Sequence, residues 1–152
     1  MRTYAACIGK PVTDNLGAAI VVLMEEGPDR FALVKEGDRE PSYWKFSGGK
    51  VEPEDGSPLD AAIREAKEET GITIPPERIR QIGIIRKPTH EVFVFAALVK
   101  SFAGIAKRGE EGEIVSVFSL QDLEWMERDK EFLPAHSIIK KMKQFLKKRK
   151  RR

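Results

Sequence analysis

The apolar and polar positions along the chain divide most of it into short strands. Leu16 to Met24 is apolar and rich in branched residues, a pattern that predicts a buried strand. A turn through Glu26-Gly27-Pro28 leads to Phe31–Lys35, which we expect to be its hairpin partner. Four further strands are predicted, at Trp44–Phe46 continuing into Ser47-Gly48-Gly49, at Gln81–Arg86, at Glu91–Val99 and at Glu113–Ser119.

A helix is predicted over about residues 58–70, between the third and fourth strands. Ser57 stands at the N-cap and Pro58 at the first helical position. Asp60 follows three residues after the cap, where it can complete a capping box. Gly71 lies where a left-handed residue is needed to end a helix, so both ends are defined by local sequence.

A second helix is predicted to begin near Ala135. Its apolar residues fall on one stripe at helical spacing and would pack on the sheet: Ile138, Ile139, Met142, Phe145 and Leu146. Strands mixed with two substantial helices predict an α/β sandwich with a mixed sheet. The 152 residues suit one compact domain, which we place at residues 1–146 and follow with a basic tail at 147–152.

Charge is distributed unevenly along the chain. Lys and Arg number 27 and Asp and Glu 24, but nine of the basic residues and none of the acidic ones lie from Lys140 onward. The rest of the chain is therefore acidic, with 18 basic against 24 acidic residues. The basic end suggests weak binding to RNA, DNA or an anionic surface, although a disordered solubilising tail is the simpler interpretation.

Several classes of protein are disfavoured by composition. Cys7 is the only cysteine, which excludes an internal disulfide and a cysteine-based zinc site. The apolar run Ala18 to Met24 is too short to cross a bilayer, and the first residues do not have the order of a signal peptide. We therefore expect a cytoplasmic protein.

The first helix carries three glutamates on one arc. At about 100° per residue, Glu65, Glu68 and Glu69 lie beside the apolar arc that the helix should bury. A solvated acidic face, relieved by Arg64, is the simpler interpretation. However, Gly48-Gly49 precedes the helix and lets backbone approach a ligand, and carboxylate oxygens are ligands that Mg²⁺ or Mn²⁺ prefers.

The residues around this helix resemble the signature of the Nudix hydrolases. Gly49-Lys50-Val51-Glu52-Pro53 is followed by Arg64-Glu65-Ala66-Lys67-Glu68-Glu69-Thr70-Gly71-Ile72, and the second block matches the family's core at every specified position. The resemblance extends over roughly residues 16 to 146. It implies an α/β/α sandwich in which the signature forms a loop–helix–loop, and hydrolysis of a diphosphate bond with a divalent ion.

The resemblance also assigns roles within the signature. It places Glu65, Glu68 and Glu69 at the metal-binding positions and Arg64 at the arginine that orients those carboxylates. We expect Gly49 to contribute to the metal site, and Gly48 and Gly49 to lie against the substrate. We name Glu68, Glu65, Arg64 and Asp55 as catalytic residues.

Asp55 enters this set because the sequence departs from the family. The glutamate that usually stands eight residues before the signature arginine is replaced here by Gly56, and the connection from Gly49 is one residue longer than usual. Glu54 and Asp55 both lie nearby, and we expect Asp55 to take that place.

The substrate is not determined by the signature. We expect a nucleoside di- or triphosphate or a nucleoside diphosphate derivative, such as a dNTP or ADP-ribose. His136 resembles a base-contacting position of nucleotide-pool-cleaning members, but it could equally cap the last helix. Trp44 could stack on a base, although core packing is common for an aromatic residue in a strand. Pro88 has a spacing associated in the family with ADP-ribose, and more often such a proline only forms a turn.

Two further alternatives stay open at this point. Glu110, Glu111 and Glu113 could supply another metal ligand or the general base, or could simply be solvated. The protein could also hydrolyse RNA 5′ ends, with the basic tail holding the polymer, or bind nucleotides without catalysis. Retention of all three helical glutamates argues against the non-catalytic alternative.

Overall fold

One six-stranded mixed sheet forms the centre of the molecule. The structure, a computed structural model, describes residues 15–27, 30–37, 43–129 and 136–150, without the side chains of His136 and Lys150. The strands are β1 (Ala18–Glu25), β2 (Arg30–Lys35), β3 (Ser47–Lys50), β4 (Ile79–Arg86), β5 (Glu91–Val99) and β6 (Ile114–Ser119). The helices are α1 (Pro58–Thr70), α2 (Leu120–Arg128) and α3 (His136–Lys150).

The strands follow the order β4-β5-β1-β2-β6. β1 and β5 are parallel, and the other pairs are antiparallel, including the predicted β1–β2 hairpin. β2 and β3 share one edge of β1, where β2 pairs with its end and β3 with its beginning. β3 therefore stands beside the sheet's central strand although it contains only four residues.

Helices cover both faces of the sheet, which confirms the predicted α/β sandwich with a mixed sheet. α1 packs on one face, and α2 and α3 pack on the other. Alternate residues of β1 point to opposite faces, as they must in a strand, so Val21 contacts the α1 side and Val22 the other. Two separate cores follow from this alternation.

The two cores differ in the size of their side chains. The core under α1 is rich in alanine, with Ala61, Ala62 and Ala66 from the helix meeting Ala19, Ala32 and Ala97 from the sheet. The core under α2 and α3 contains mostly larger aliphatic and aromatic residues, among them Leu33, Leu123, Ile139, Met142 and Phe31. Small side chains on both surfaces allow α1 to lie close to the sheet.

Both ends of α1 form where predicted, although of the capping box expected at Asp60 only the bond from its N–H to Ser57 is described. The Ser57 hydroxyl accepts a hydrogen bond of 3.1 Å from the backbone N–H of Asp60, and Pro58 occupies the first turn. Gly71 adopts a left-handed conformation with φ of 77°, and its N–H donates to the carbonyl of Lys67. The helix that carries the three glutamates is thus fixed in length by its own sequence.

The sequence patterns missed one helix, α2. It contains only nine residues, and it follows β6 directly. Ser119 and Asp122 exchange hydrogen bonds in a reciprocal capping box, which is the signal that could have predicted it.

The third helix extends further than expected. α3 continues to Lys150, so four of the six residues assigned to a basic tail are helical. The division into a domain at 1–146 and a tail at 147–152 stays a prediction. Among the described helices, none is both long and apolar enough to span a membrane.

The packing of α3 leads to a test of the fold. Met142 is fully buried on the sheet-facing side of α3, whereas Gln144 on the same helix is exposed. Met142→Ala should lower the free energy of unfolding by about 2–5 kcal/mol, because it removes packing and leaves a cavity. Gln144→Ala should change it by less than about 0.5 kcal/mol. Urea denaturation of both variants measures the difference, and equal stability would contradict this docking of α3.

Candidate active site

The glutamate face of α1 lies against the two glycines of β3. At Gly48, a β-carbon would stand 2.3 Å from the carbonyl oxygen of Ala19 and 2.9 Å from the Cα of Ile20, both in β1. At Gly49, a β-carbon would stand 2.7 Å from the carboxyl carbon of Glu65. The first glycine therefore allows β3 to pair with β1, and the second leaves room for a carboxylate.

Glu69 is the most buried of the three glutamates, with 4% of its surface exposed. One of its carboxylate oxygens accepts hydrogen bonds from the Ser47 hydroxyl at 2.6 Å and from the Gly48 N–H at 2.9 Å. The other oxygen is 3.9 Å from the Lys45 Nζ. Burial nevertheless raises the pKa of Glu69 to about 7, so these donors do not fully offset the loss of hydration.

Glu65 and Glu68 are less buried. The side chain of Glu65 is 15% exposed, and burial raises the pKa of its carboxyl group, although Arg64 donates to it at 2.8 Å. Glu68 is 41% exposed and lies 3.2 Å from the same arginine nitrogen. The acidic face therefore grades from a buried carboxylate at Glu69 to an accessible one at Glu68.

Arg64 holds this face in place from one side. Its Nε and Nη2 atoms donate to the two carboxylate oxygens of Asp55, at 2.7 and 3.0 Å, which forms a bidentate ion pair. Nη2 also donates to the carbonyl of Lys50, at 3.1 Å, at the end of β3. With Nη1 directed to Glu65 and Glu68, the guanidinium connects the loop after β3 to the acidic face.

The loop that contains Asp55 is itself well ordered by local bonds. The Asp55 carboxylate accepts from the N–H of Glu52 at 2.7 Å, and the guanidinium of Arg64 lowers the pKa of Asp55 below its usual range. Gly56 has φ of 77°, a conformation that a glutamate there would rarely adopt. The longer connection thus brings Asp55, rather than the exposed Glu54, to the arginine.

A second loop, residues 100–113, closes the end of α1. The N–H groups of Ala106 and Glu110 donate to the carbonyls of Thr70 and Glu68, at 2.9 and 2.8 Å. A β-carbon at Gly109 would stand 2.8 Å from the carbonyl oxygen of Glu69. The bonds satisfy carbonyls that a helix end leaves without partners.

This loop also carries the second group of acidic residues. Glu110 and Glu111 are exposed, and the Glu113 carboxylate accepts from the Glu111 N–H at 3.2 Å. The backbone contacts of the loop place these residues beside the α1 end that bears Glu68 and Glu69. Whether any of the three binds metal or acts as a base stays a prediction.

The two predicted base-contacting residues differ in what the structure describes. Trp44 is half-buried and makes an edge-to-face contact with Phe118, with ring centroids 4.9 Å apart, and the Lys35 Nζ is 5.5 Å from its ring centroid. This packing favours the core interpretation of Trp44. His136 is the first residue of α3, but its side chain and the segment 130–135 before it lie outside the described residues.

Two residues of the site were not predicted from the sequence. Ser47 and Lys45 both contact the Glu69 carboxylate, directly or at ion-pair distance. Their position immediately before Gly48-Gly49 is the only sequence signal that could have pointed to them.

The donor set fits a hard divalent cation. Glu65, Glu68 and Glu69 offer carboxylate oxygens, Gly49 leaves the space that a β-carbon would fill, and two of the carboxyl groups have raised pKa values because burial is incompletely offset. Within the described ranges, no three acidic, histidine or cysteine side chains converge closely enough to form a preformed ion site. The like charges of the three glutamates keep their carboxylates apart, and Arg64 donates hydrogen bonds to two of them, Glu65 and Glu68.

The chain matches a known protein family in sequence and solved structures in fold. Its sequence matches the NUDIX domain family over residues 14–136, which is most of its length. No curated protein sequence matches it.

Its fold is similar to that of a solved MutT, described for Aliivibrio salmonicida and Vibrio cholerae, with a TM-score of 0.64 and 21% identity, covering 82% of this chain and 94% of that one. A MutT/nudix family protein from Enterococcus faecalis matches with a TM-score of 0.55 and 23% identity, covering 66% of this chain and 42% of that one. At these identities the structural matches bear on the fold, and the family match bears on membership. The matched residues include both glycines of β3 and the entire glutamate helix, and the chain belongs to the Nudix family of diphosphohydrolases.

Proposed function

We propose that the protein hydrolyses a diphosphate bond in a nucleoside di- or triphosphate or a nucleoside diphosphate derivative, such as a dNTP or ADP-ribose, with Mg²⁺ or Mn²⁺. The observation that carries this proposal is the placement of Glu65 and Glu69 against Gly49 and Gly48. The two glycines of β3 present bare backbone to the carboxylates of Glu65 and Glu69, whose negative charge is incompletely offset by nearby donors. This combination suits a cation and a phosphate group in contact with each other.

The metal site in this proposal consists of Glu65, Glu68, Glu69 and Gly49. A bound divalent ion would neutralise negative charge on the diphosphate and lower the pKa of a water molecule bound to it. Glu69 is held by Ser47 and Gly48, so its position is fixed before any ligand binds. Glu68 is the most exposed of the three and is the one most accessible to water and substrate.

Arg64 and Asp55 have a positioning role in this proposal. Asp55 directs both of its oxygens at Arg64, and Arg64 in turn contacts Glu65 and Glu68. Asp55 would therefore act through the arginine and would not contact the substrate. In this proposal, Asp55 takes the role of the glutamate that the family usually carries one residue later.

Substrate selection is assigned to surfaces around this centre. Gly49 would let the diphosphate approach the backbone, whereas a contact at Gly48 is disfavoured because that residue is buried against β1. His136 is our candidate contact to the base. Trp44 would contribute only through the part of its ring that Phe118 leaves uncovered. The loop at 100–113 lies at the end of α1 and offers Glu110, Glu111 and Glu113 as further acidic groups.

A substrate screen tests this proposal directly. Nucleoside triphosphates, ADP-ribose and dinucleoside polyphosphates would be incubated with the protein and Mg²⁺, and the phosphate products measured. Cleavage of capped or triphosphorylated RNA in preference to all of these would support the RNA-end alternative. Binding of nucleotides with no turnover of any compound would support the non-catalytic alternative.

The glutamates of α1 provide the first prediction on activity. Glu68→Gln or Glu69→Gln keeps side-chain size but removes a charge, so turnover should fall by several orders of magnitude. Folding should survive, because a glutamine oxygen at position 69 can still accept from Ser47 and Gly48. The parent should be inactive in EDTA and recover with Mg²⁺ or Mn²⁺. Near-parent rates for either variant, or activity without metal, would contradict the proposal.

The adjacent glycines of β3 should respond differently to the same substitution. Gly48→Ala forces a β-carbon into the backbone of β1 and should lower the free energy of unfolding by about 1–3 kcal/mol, as overpacking does. Gly49→Ala meets only the flexible end of Glu65. It should lower activity and raise the Mg²⁺ concentration needed for half-maximal rate, with a smaller loss of stability. Thermal unfolding and metal titration of both variants distinguish these effects, and identical behaviour would contradict the assignment.

The Arg64–Asp55 ion pair gives a third prediction. Asp55→Asn should lower kcat/KM by about 10- to 100-fold, the usual cost of losing a group that orients metal ligands. Glu54→Gln is the matched control, since Glu54 is exposed and adjacent. A large loss for Glu54→Gln with none for Asp55→Asn would assign the role to Glu54 instead.

The same variant has an expected pH signature. The pKa of Asp55 is lowered in the fold, so its pairing stabilises the protein above the ordinary aspartate pKa and is lost as pH falls through the lowered value. Denaturation measured across the acid range should therefore show a shallower loss of stability in Asp55→Asn than in the parent. A parallel pH dependence in the two proteins would show that the ion pair contributes no net stability.

A further inference from the structure

A basic groove lies between the edge strand β4 and the last turns of α3, away from the glutamate site. Its volume is about 610 Å³. Its lining combines apolar residues with arginines, and those that matter here are Ala96, Leu98, Phe145, Arg78, Arg80 and Arg149. We call it the β4–α3 groove.

The groove follows from how the sheet ends. β4 pairs only with β5, so one of its edges has no neighbouring strand among the described residues. Ile79 contributes to the core under α1, and the strand alternation therefore directs Arg80 to the α3 face. α3 is anchored by Ile139 and Met142, whereas Phe145 is only half-buried and Arg149 is exposed.

The positive charge of the groove is only partly neutralised. The charge of Arg78 is already paired, since it donates to the Glu26 carboxylate at 2.5 Å and to the Leu98 carbonyl at 2.8 Å. For Arg80 and Arg149, the described part of the chain shows no carboxylate partner. Glu77 is the one acidic residue in the lining.

The helix extends this basic surface beyond the groove. Lys141, Phe145 and Arg149 are spaced four residues apart and lie on one side of α3. The stem of Lys141 crosses β4 at Gly83, where a β-carbon would stand 2.4 Å from the Lys141 Cδ. A row of cation, aromatic ring and cation thus runs along the β4 side of the helix.

The other side of α3 has a different charge. There Lys143 pairs with Glu124 at 2.9 Å, and the neighbouring surface of α2 also carries Glu127 beside Trp125 and Arg128. Here two carboxylates balance Lys143 and Arg128, so this surface offers a polyanion no net attraction. The β4 side is therefore where an anionic ligand gains most.

We propose that the β4–α3 groove binds single-stranded nucleic acid. Arg80 and Arg149 would contact phosphates, and the exposed part of Phe145 would contact a base. A duplex is a poorer fit, because its stacked bases cannot reach an apolar surface at the bottom of a groove. An anionic membrane is also a poorer fit, because the apolar residues line a concavity and do not protrude.

This binding surface goes beyond the proposed hydrolysis and uses none of its residues. Gly48 pairs with Ile20 near the start of β1, whereas Arg78 contacts Glu26 just after its end. At about 3.3 Å per strand residue, the two regions are separated by roughly 20 Å along the sheet. A single strand bound in the β4–α3 groove would therefore leave the glutamate site, at the other end of the sheet, accessible to substrate.

The test measures binding of an unstructured 20-nucleotide RNA without a 5′-triphosphate by fluorescence anisotropy over a range of salt concentrations. Arg80→Gln and Arg149→Gln should each weaken binding several-fold and reduce the slope of log affinity against log salt by roughly 0.7, the value for one phosphate contact of a single strand. Arg128→Gln is the matched control, because it removes the same charge from α2, on the surface away from the groove. Phe145→Leu should weaken binding without changing the slope.

Three outcomes would overturn the proposal. They are an equal effect of Arg128→Gln and the groove variants, no effect of either arginine, and tighter binding of duplex DNA or anionic vesicles than of the single strand. Nucleotide hydrolysis should be unchanged in the groove variants, and Glu68→Gln should bind RNA like the parent. Failure of the groove proposal is therefore distinguishable from failure of the proposed hydrolysis.

Discussion

The hydrogen bonds between β3 and the Glu69 carboxylate are the interaction on which the site depends. They join a four-residue strand to a glutamate that lies 22 residues after Ser47 in the sequence. They also fix the buried end of the acidic face. Burying a carboxylate is costly, and the raised pKa of Glu69 shows that its donors do not offset that cost completely. The fold tolerates this cost because α1, which carries Glu69, is held in place by the core beneath it and by its capped ends.

Most of the architecture could be predicted because its signals are local. The apolar run of β5 gave its bounds without error, and Ser57 and Gly71 fixed α1 through hydrogen bonds within a few residues. α2 was missed because nine residues carry too few apolar positions to establish a helical period against the strand before it. Family membership followed from spacing within α1, which sequence displays directly.

The contacts of the site were less predictable because they join elements far apart in sequence. Asp55 was expected to take the place of the missing glutamate because it lies nearby in sequence. Its bidentate contact with Arg64 was not predicted, and it depends on the left-handed turn at Gly56. Ser47 lies 22 residues before Glu69 and has no pattern that marks it as a partner. The closure of α1 by the loop at 100–113 rests on backbone N–H groups, which are the same in every sequence except at proline.

The unequal cores bear on how a protein of this kind can diverge. Beneath α1, alanines meet alanines, and any larger side chain there would lift the helix and misalign its carboxylates with β3. Beneath α2 and α3, longer aliphatic residues can exchange volume among themselves while the sheet keeps its shape. Substitutions should therefore accumulate in the core under α2 and α3 and be rare in the core under α1. Related proteins would then keep the same catalytic layer while the opposite layer and its surface change.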